Sequence, residues 1–227
     1  MRILSIDTST KMLCLALSDN GKIIFNYRRD AGVKHSAILF STLESLLKKY
    51  GIKKETIGTF AVGLGPGSFT GLRISLSAVK GLLLASKKKV VGIPTLDIIA
   101  KNTAQDGLFW VISDANRGNI YAASYERKNE RLKRLTSYTL INFNAWLKGI
   151  KNKVFVLGGA VGIYGAELAK NKNISCLAEK FWWPDAKNLC VLAIEKLSSQ
   201  GPDKIGRLLP LYLYPKECQI KTVTRNP

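Results

Sequence analysis

The sequence holds one histidine in 227 residues, His35. That excludes a metal site built on histidine pairs and an HExxH hydrolase, and no Ser-His-Asp set is marked out around the one imidazole. The stretch HSAIL offers no second histidine of an HxxxH pair, so His35 reads as a cap or packing group near a helix start. Cysteine is nearly as scarce. Cys14, Cys176, Cys190 and Cys218 form no CxxC pair, so neither a zinc site nor a disulfide framework is suggested, and a reducing cytoplasm fits best. Apolar runs such as residues 81–85 fall far short of the roughly 20 residues a membrane span requires. The opening MRILSIDTST alternates like a strand rather than like a signal-peptide core, so the expectation is a cytoplasmic protein with no membrane association.

Acidic residues are also few: 16 Asp and Glu stand against 35 Lys and Arg, a net charge of +19. Such an excess favours nucleic acid or an acidic protein as partner. The basic residues nevertheless come in short groups where elements end, as at Lys87 to Lys89 and around Arg127 to Arg134, with no aromatic-interleaved basic module. Two readings stay open: a solvated lysine-rich surface, or a face turned toward RNA or an acidic partner.

At 46% hydrophobic residues the chain can build a substantial core. Residues 2–7, 12–18 and 22–28 alternate as three strands separated by the turns TSTK and DNG. Residues 35–50 show helical spacing, with Leu39, Phe40, Leu43, Leu46 and Leu47 on one arc and Gly51 as the stop. A strand over 59–64, a helix over 70–86, a strand over 90–93 and a helix over 95–103 follow, giving the order βββαβαβα. The pattern then restarts: strands over 108–113, 119–125 and 132–139, a short helix over 144–148, a strand over 154–157, a glycine-led helix to about residue 170 and a last helix over 185–200. This predicts a duplicated α/β unit, with halves 1–105 and 106–209 and an extended tail, 210–227, packed back on the body.

Residues 63–74, GLGPGSFTGLRI, look like the start of a phosphate loop. The Walker pattern fails because Gly71 is followed by Leu72 and Arg73, and the Rossmann fingerprint fails because Ser68 or Thr70 replaces its third glycine. What remains is a strand ending at Gly65, a turn at Pro66-Gly67, and Ser68 or Thr70 capping a helix, so Gly65 to Gly71 reads as a structural turn that aims the helix. That helix is apolar on both sides: Leu72, Leu76, Val79 and Leu83 share one face, and Ile74, Ala78, Gly81 and Ala85 the opposite one. The second face is small and flat, and its partner is either the 35–50 helix of the same chain or a helix of another subunit. Asp7 in IDTST and Asp114 in SDANRG stand where a metal-phosphate complex could be held, although turn-forming aspartate is the commoner role.

Taken together, ILSIDTST, HSAILFSTLESLL, AVGLGPGSFTGLRIS, VVGIPTLDIIA, ISDANRGNIYAASY and LLPLYLYP resemble the bacterial TsaB (YeaZ) family over nearly the whole chain. The resemblance implies the actin-like ATPase fold of Hsp70, actin and sugar kinases, with two βββαβαβα halves, the second degenerate, and membership of the glycoprotease-like clan that contains TsaD. It implies a part in forming N6-threonylcarbamoyladenosine at position 37 of tRNAs reading codons that begin with A, beside the transferase TsaD and the ATPase TsaE, and not as the catalyst. No TsaD-type histidine pair surrounds His35, and peptidase activity is not expected. The VLGGAVG stretch resembles a degenerate adenosine-binding turn, which makes Asp7, Thr8, Asp114, Gly158 and Gly159 candidates for a vestigial nucleotide cleft with no cofactor and no metal. The family pairs with TsaD through its first two helices. Carried over, the partner-binding residues are His35, Leu39, Leu43, Leu46, Arg73, Ile74, Ser77, Ala78, Gly81 and Ala85, a surface that also implies homodimers of the isolated chain. Contact with tRNA is expected to be weak or indirect, and the alternative is an ATP-binding small-molecule kinase or ATPase of the same fold.

Overall fold

The computed structural model describes residues 1–84, 86 and 88–214. Ala85, Cys218 and the tail beyond residue 214 therefore lie outside the described residues.

The first sheet runs β3-β2-β1-β4-β5, where β1 is Arg2–Asp7, β2 Met12–Asp19, β3 Lys22–Asp30, β4 Thr59–Gly63 and β5 Lys89–Ile93. β1 pairs antiparallel with β2, as β2 does with β3, through the hairpin turns that Asn20-Gly21 and the TSTK stretch supply; β4 pairs parallel with β1, and β5 with β4. The central strands β1 and β4 are buried on both faces because helices lie on each side. On one side α1 (His35–Lys49) and α2 (Phe69–Leu84) close a core containing Leu4, Leu13, Leu39, Val62, Leu76 and Val79.

The second sheet repeats this topology. β6 (Gly107–Asp114) takes the place of β1, β7 (Asn119–Lys128) that of β2, and β10 (Val154–Leu157) that of β4. The strand expected over 132–139 is two strands, β8 (Arg131–Arg134) and β9 (Thr139–Asn142), which pair with opposite ends of β7. A sixth strand, β11 (Ile174–Cys176), pairs parallel with β10 and completes the order β11-β10-β6-β7-β8, with β9 beside β7. It went unread because three residues, two of them exposed, carry no alternation to detect. α4 (Phe143–Gly149) starts at Asn142, whose side chain accepts from the N–H groups of Asn144 and Ala145. With α5 (Val161–Ala169) it covers one face of this sheet through Phe143, Trp146, Val161 and Leu168.

The remaining two helices cross over. α3 (Thr95–Ala100), which ends three residues earlier than expected, turns Leu96, Ile99 and Ala100 onto the second sheet. α6 (Ala186–Ser199) lies across β1, β2 and β5 of the first, with Leu189 and Ala193 against Ile3, Ala61 and Val91. The chain segment 106–209 is therefore not a self-contained half, because its last helix covers the other sheet.

The segment after α6 is a strap. Asp203 accepts from the N–H of Gly92 at 2.8 Å and from the Lys196 ammonium at 2.8 Å, Leu208 enters the first core, and the N–H of Leu211 donates to the carbonyl of Leu64. Replacing Asp203 with Ala leaves the Gly92 N–H without its acceptor and the part-buried Lys196 ammonium without its counter-charge, though still bonded to the Gly92 carbonyl at 3.1 Å, so a loss of about 2 kcal/mol in urea denaturation is expected. Among the described residues no helix is long and apolar enough to cross a membrane.

The interdomain cleft and the outer helix pair

The glycine loop lies flat on the turn after β1. A β-carbon on Gly67 would stand 2.2 Å from the carbonyl oxygen of Ser9, and one on Gly71 would stand 2.0 Å from that of Thr8. The N–H of Ser68 donates to Ser9 O at 2.7 Å, and the Thr8 hydroxyl donates to Gly71 O at 2.6 Å. Gly65 adopts φ +89° and precedes Pro66 through a cis peptide bond. Of the two capping candidates it is Ser68 that caps α2, its hydroxyl accepting from the N–H of Gly71 at 3.2 Å, while Thr70 is exposed in the first turn. The loop's N–H groups at Ser68 and Gly71 are thus spent within the chain.

Asp7 is fully buried. Its carboxylate accepts from the N–H and hydroxyl of Ser9 at 2.8 and 2.6 Å and from the hydroxyl of Thr95 at 3.2 Å. Asp7 and the equally buried Thr8 face the loop and not the cleft, so the fold does not bring Asp7 and Asp114, weighed together as holders of a metal-phosphate complex, to one site. Desolvation outweighs the hydrogen bonds and holds the Asp7 carboxyl above its ordinary value of 3.8. The folded chain therefore keeps a proton that the unfolded chain has lost, and Asp7's contribution to stability falls as pH rises from 3.8 through the raised value. Comparing Asp7→Asn with the parent by urea denaturation from about pH 4 to pH 7 should show the balance moving in the variant's favour as pH rises; a constant difference would contradict this burial effect.

Between the halves lies a cleft of about 790 Å³. Of the five nucleotide-cleft candidates it receives Asp114 and Gly159. Gly158 is buried at φ +115° against the backbone of Ile112. Gly159 is covered by Trp183, whose ring would lie 2.7 Å from a β-carbon there, and Trp182 stands 3.0 Å from the same position on Gly162. The indole N–H of Trp182 donates to Leu177 O at 2.7 Å, which fixes its ring. Glu179, Tyr212 and Tyr214 also line the cleft and were not foreseen; the LYLY run of the tail was the available sign. Among the described residues no group of three or more His, Cys, Asp or Glu is placed to hold a metal ion.

The helix pair on the other side differs from expectation in its rotation. His35, Leu39, Leu43 and Ala78 are at most 7% exposed and belong to the interior. Ile74 and Leu46 are half-buried against the same core. The reason is that α1 packs against α2, and Ala78 with the half-buried Ile74 joins the core that holds Leu39 and Leu43, so the chain itself covers that side. The open stripe of α2 is Arg73, Ser77, Gly81 and Leu84, recurring every three or four residues, with Leu84 85% exposed. A β-carbon added at Gly81 would meet nothing within 4 Å. Beside α2 a groove of about 730 Å³ passes Phe40, Leu47 and Leu82, and Phe40, assigned to the inner arc, is 53% exposed. Of the face inferred for α2, Ile74 and Ala78 are thus taken by the chain's own core, Ala85 lies outside the described residues, and Gly81 alone stays on the open stripe.

A family model described as TsaD, tRNA N6-adenosine threonylcarbamoyltransferase, matches residues 27–202. The tRNA threonylcarbamoyladenosine biosynthesis protein TsaB of Bacillus subtilis is 31% identical over 154 residues, 67% of either chain. Its namesake in Escherichia coli is 32% identical over 130 residues, and that match spans just over half, 56%, of either chain. The YeaZ structure from Pseudomonas aeruginosa superposes with a TM-score of 0.79 at 23% identity, covering 93% of this chain and 99% of that one, which shows a shared fold. With its two sheets of one topology the chain has the mixed α/β architecture of the actin-like ATPase fold. It belongs to the TsaB/YeaZ family of tRNA threonylcarbamoyladenosine biosynthesis proteins and carries a TsaD-type domain over most of its length.

Proposed function

We propose that the chain is the non-catalytic subunit that docks on TsaD through α1 and α2 and, with TsaE, supports formation of N6-threonylcarbamoyladenosine at position 37 of tRNAs reading codons that begin with A. The observation that carries this reading is the outward stripe Arg73, Ser77, Gly81 and Leu84 beside the apolar groove at Phe40. Exposed Leu84 and Phe40 beside a groove, next to a glycine that lets a second helix come close, mark an interface between proteins. Without TsaD a second copy of the chain covers it. The locked state of Asp7 supports a role without chemistry of its own. The charge of +19, with Lys128 directly opposite Arg131 on the β7–β8 ladder, supports phosphate contacts to tRNA within the assembly.

The test is reconstitution. TsaD and TsaE are assayed for threonine incorporation into tRNA with and without this chain, and the chain and TsaD are passed together through a sizing column. Co-elution and chain-dependent incorporation are expected. Full incorporation in its absence, or separate elution, would remove the proposal.

A further inference from the structure

The cleft between the halves is unlike the rest of the surface, and its edge meets the α2 stripe at Arg73. Six aromatic rings face it, Phe69, Tyr121, Trp182, Trp183, Tyr212 and Tyr214. They are held in place by one another and by the backbone: Phe69 and Tyr212 lie 5.3 Å apart, Tyr121 meets Tyr214 edge-on at 6.3 Å, and the Tyr214 hydroxyl donates to Ala115 O at 2.6 Å.

The charges in the cleft run against those of the chain. Its lysine, Lys11, has its ammonium 3.2 Å from Asp30 and 4.7 Å above the Trp183 ring, so that cation is already matched, and at the rim the Arg73 guanidinium lies 3.8 Å over Phe69 and donates to the Tyr212 hydroxyl at 3.3 Å. Two carboxylates, Asp114 and Glu179, remain, and neither is in an ion pair among the described residues. Asp114 accepts the N–H of Asn116 at 3.0 Å through one oxygen, and its other oxygen has no hydrogen-bond donor among the described residues. A protein of +19 thus carries an acidic, aromatic-walled hollow at its centre.

A phosphate-bearing ligand would meet these carboxylates with like charge, while the loop amides at Ser68 and Gly71 are engaged elsewhere. A cation with a flat apolar body meets the reverse situation: ring faces attract it, the carboxylates neutralise it, and the hollow desolvates it. Lys11 over Trp183 is an internal instance of this contact. We infer that the interdomain cleft is a binding site for a small organic ammonium compound with an aromatic or similarly flat body, its charge held by Asp114 and Glu179 and its body between the Trp182–Trp183 pair and the tyrosines.

The test is calorimetric titration of the full chain with phenethylammonium, with phenethyl alcohol as the uncharged counterpart and with AMP and Mg-ATP as phosphate-bearing competitors. Saturable binding of the ammonium, at least about tenfold tighter than the alcohol, is expected. Glu179→Gln and Asp114→Asn should each weaken it about tenfold without changing the circular dichroism melt, since both replacements keep an acceptor oxygen. Failure of the ammonium to bind, equal binding of the alcohol, tighter binding of either nucleotide, or unchanged affinity in both variants overturns the inference. None of these outcomes bears on docking at α2, so the two proposals fail separately.

Discussion

Gly81→Trp is expected to leave the fold and its melting temperature essentially intact while weakening pairing with TsaD at least about 100-fold, which is about 2.7 kcal/mol. The reasoning rests on two neighbours in the same helix. At Gly81 a side chain would extend into open space, and the loss of a mid-helix glycine even favours α2 by a few tenths of a kcal/mol up to about 1. An indole there stands on the flat stripe between Ser77 and Leu84 and holds a docking helix away from the surface on which it depends. Ala78, three residues earlier, is 7% exposed inside the first core, so Ala78→Trp would damage the fold and report nothing about docking. Co-purification with TsaD and threonine incorporation into tRNA, read beside a thermal melt, separate the two effects. Normal pairing by Gly81→Trp would remove the α2 stripe from the interface.

Gly71→Ala should act in the opposite way, with a loss of at least about 3 kcal/mol, or a fall of about 6–12 °C in melting temperature for a domain of this size. The added methyl group would be placed 2.0 Å from the carbonyl oxygen of Thr8, and that obstacle is backbone rather than the end of a mobile side chain. The same carbonyl region is fixed by the Thr8 hydroxyl bonded to Gly71 O and by Ser68 N–H bonded to Ser9 O, so relief requires α2 to lift from the β1–β2 turn. Gly71→Ala and Gly81→Ala, ten residues apart in one helix, should therefore shift the melt in opposite directions. A melt for Gly71→Ala within a degree of the parent would contradict the close approach.

These contrasts also show how far the sequence could be read. Strands β1 to β3, the glycine turn and the starts of α4 and α6 were legible because alternation, Asn-Gly turns and side-chain caps are local signals. The rotation of α2 was not. Residues 72, 76, 79 and 83 and residues 74 and 78 are both apolar rows, and periodicity does not say that both are drawn into the core shared with α1. Phe40 was misplaced for the same reason, since an arc of five apolar residues is wider than the strip a single neighbouring sheet covers. In the cleft, Asp114 and Gly159 were found through their turn motifs. Trp182, Trp183 and the tyrosines of the strap come from segments about 70 residues or more from Asp114 along the chain, joined only by the fold.

The exchange of end helices has a consequence for how the molecule is made. As the polypeptide leaves the ribosome, the first five strands appear early, yet Ile3, Ala61 and Val91 wait for Leu189 and Ala193, which are synthesised almost last. Until residue 199 is free, one broad greasy side of the nascent first sheet has no cover of its own and is a natural client for a chaperone. A fragment truncated near residue 105 would stay in that condition permanently and should collect in inclusion bodies rather than behave as a small independent protein.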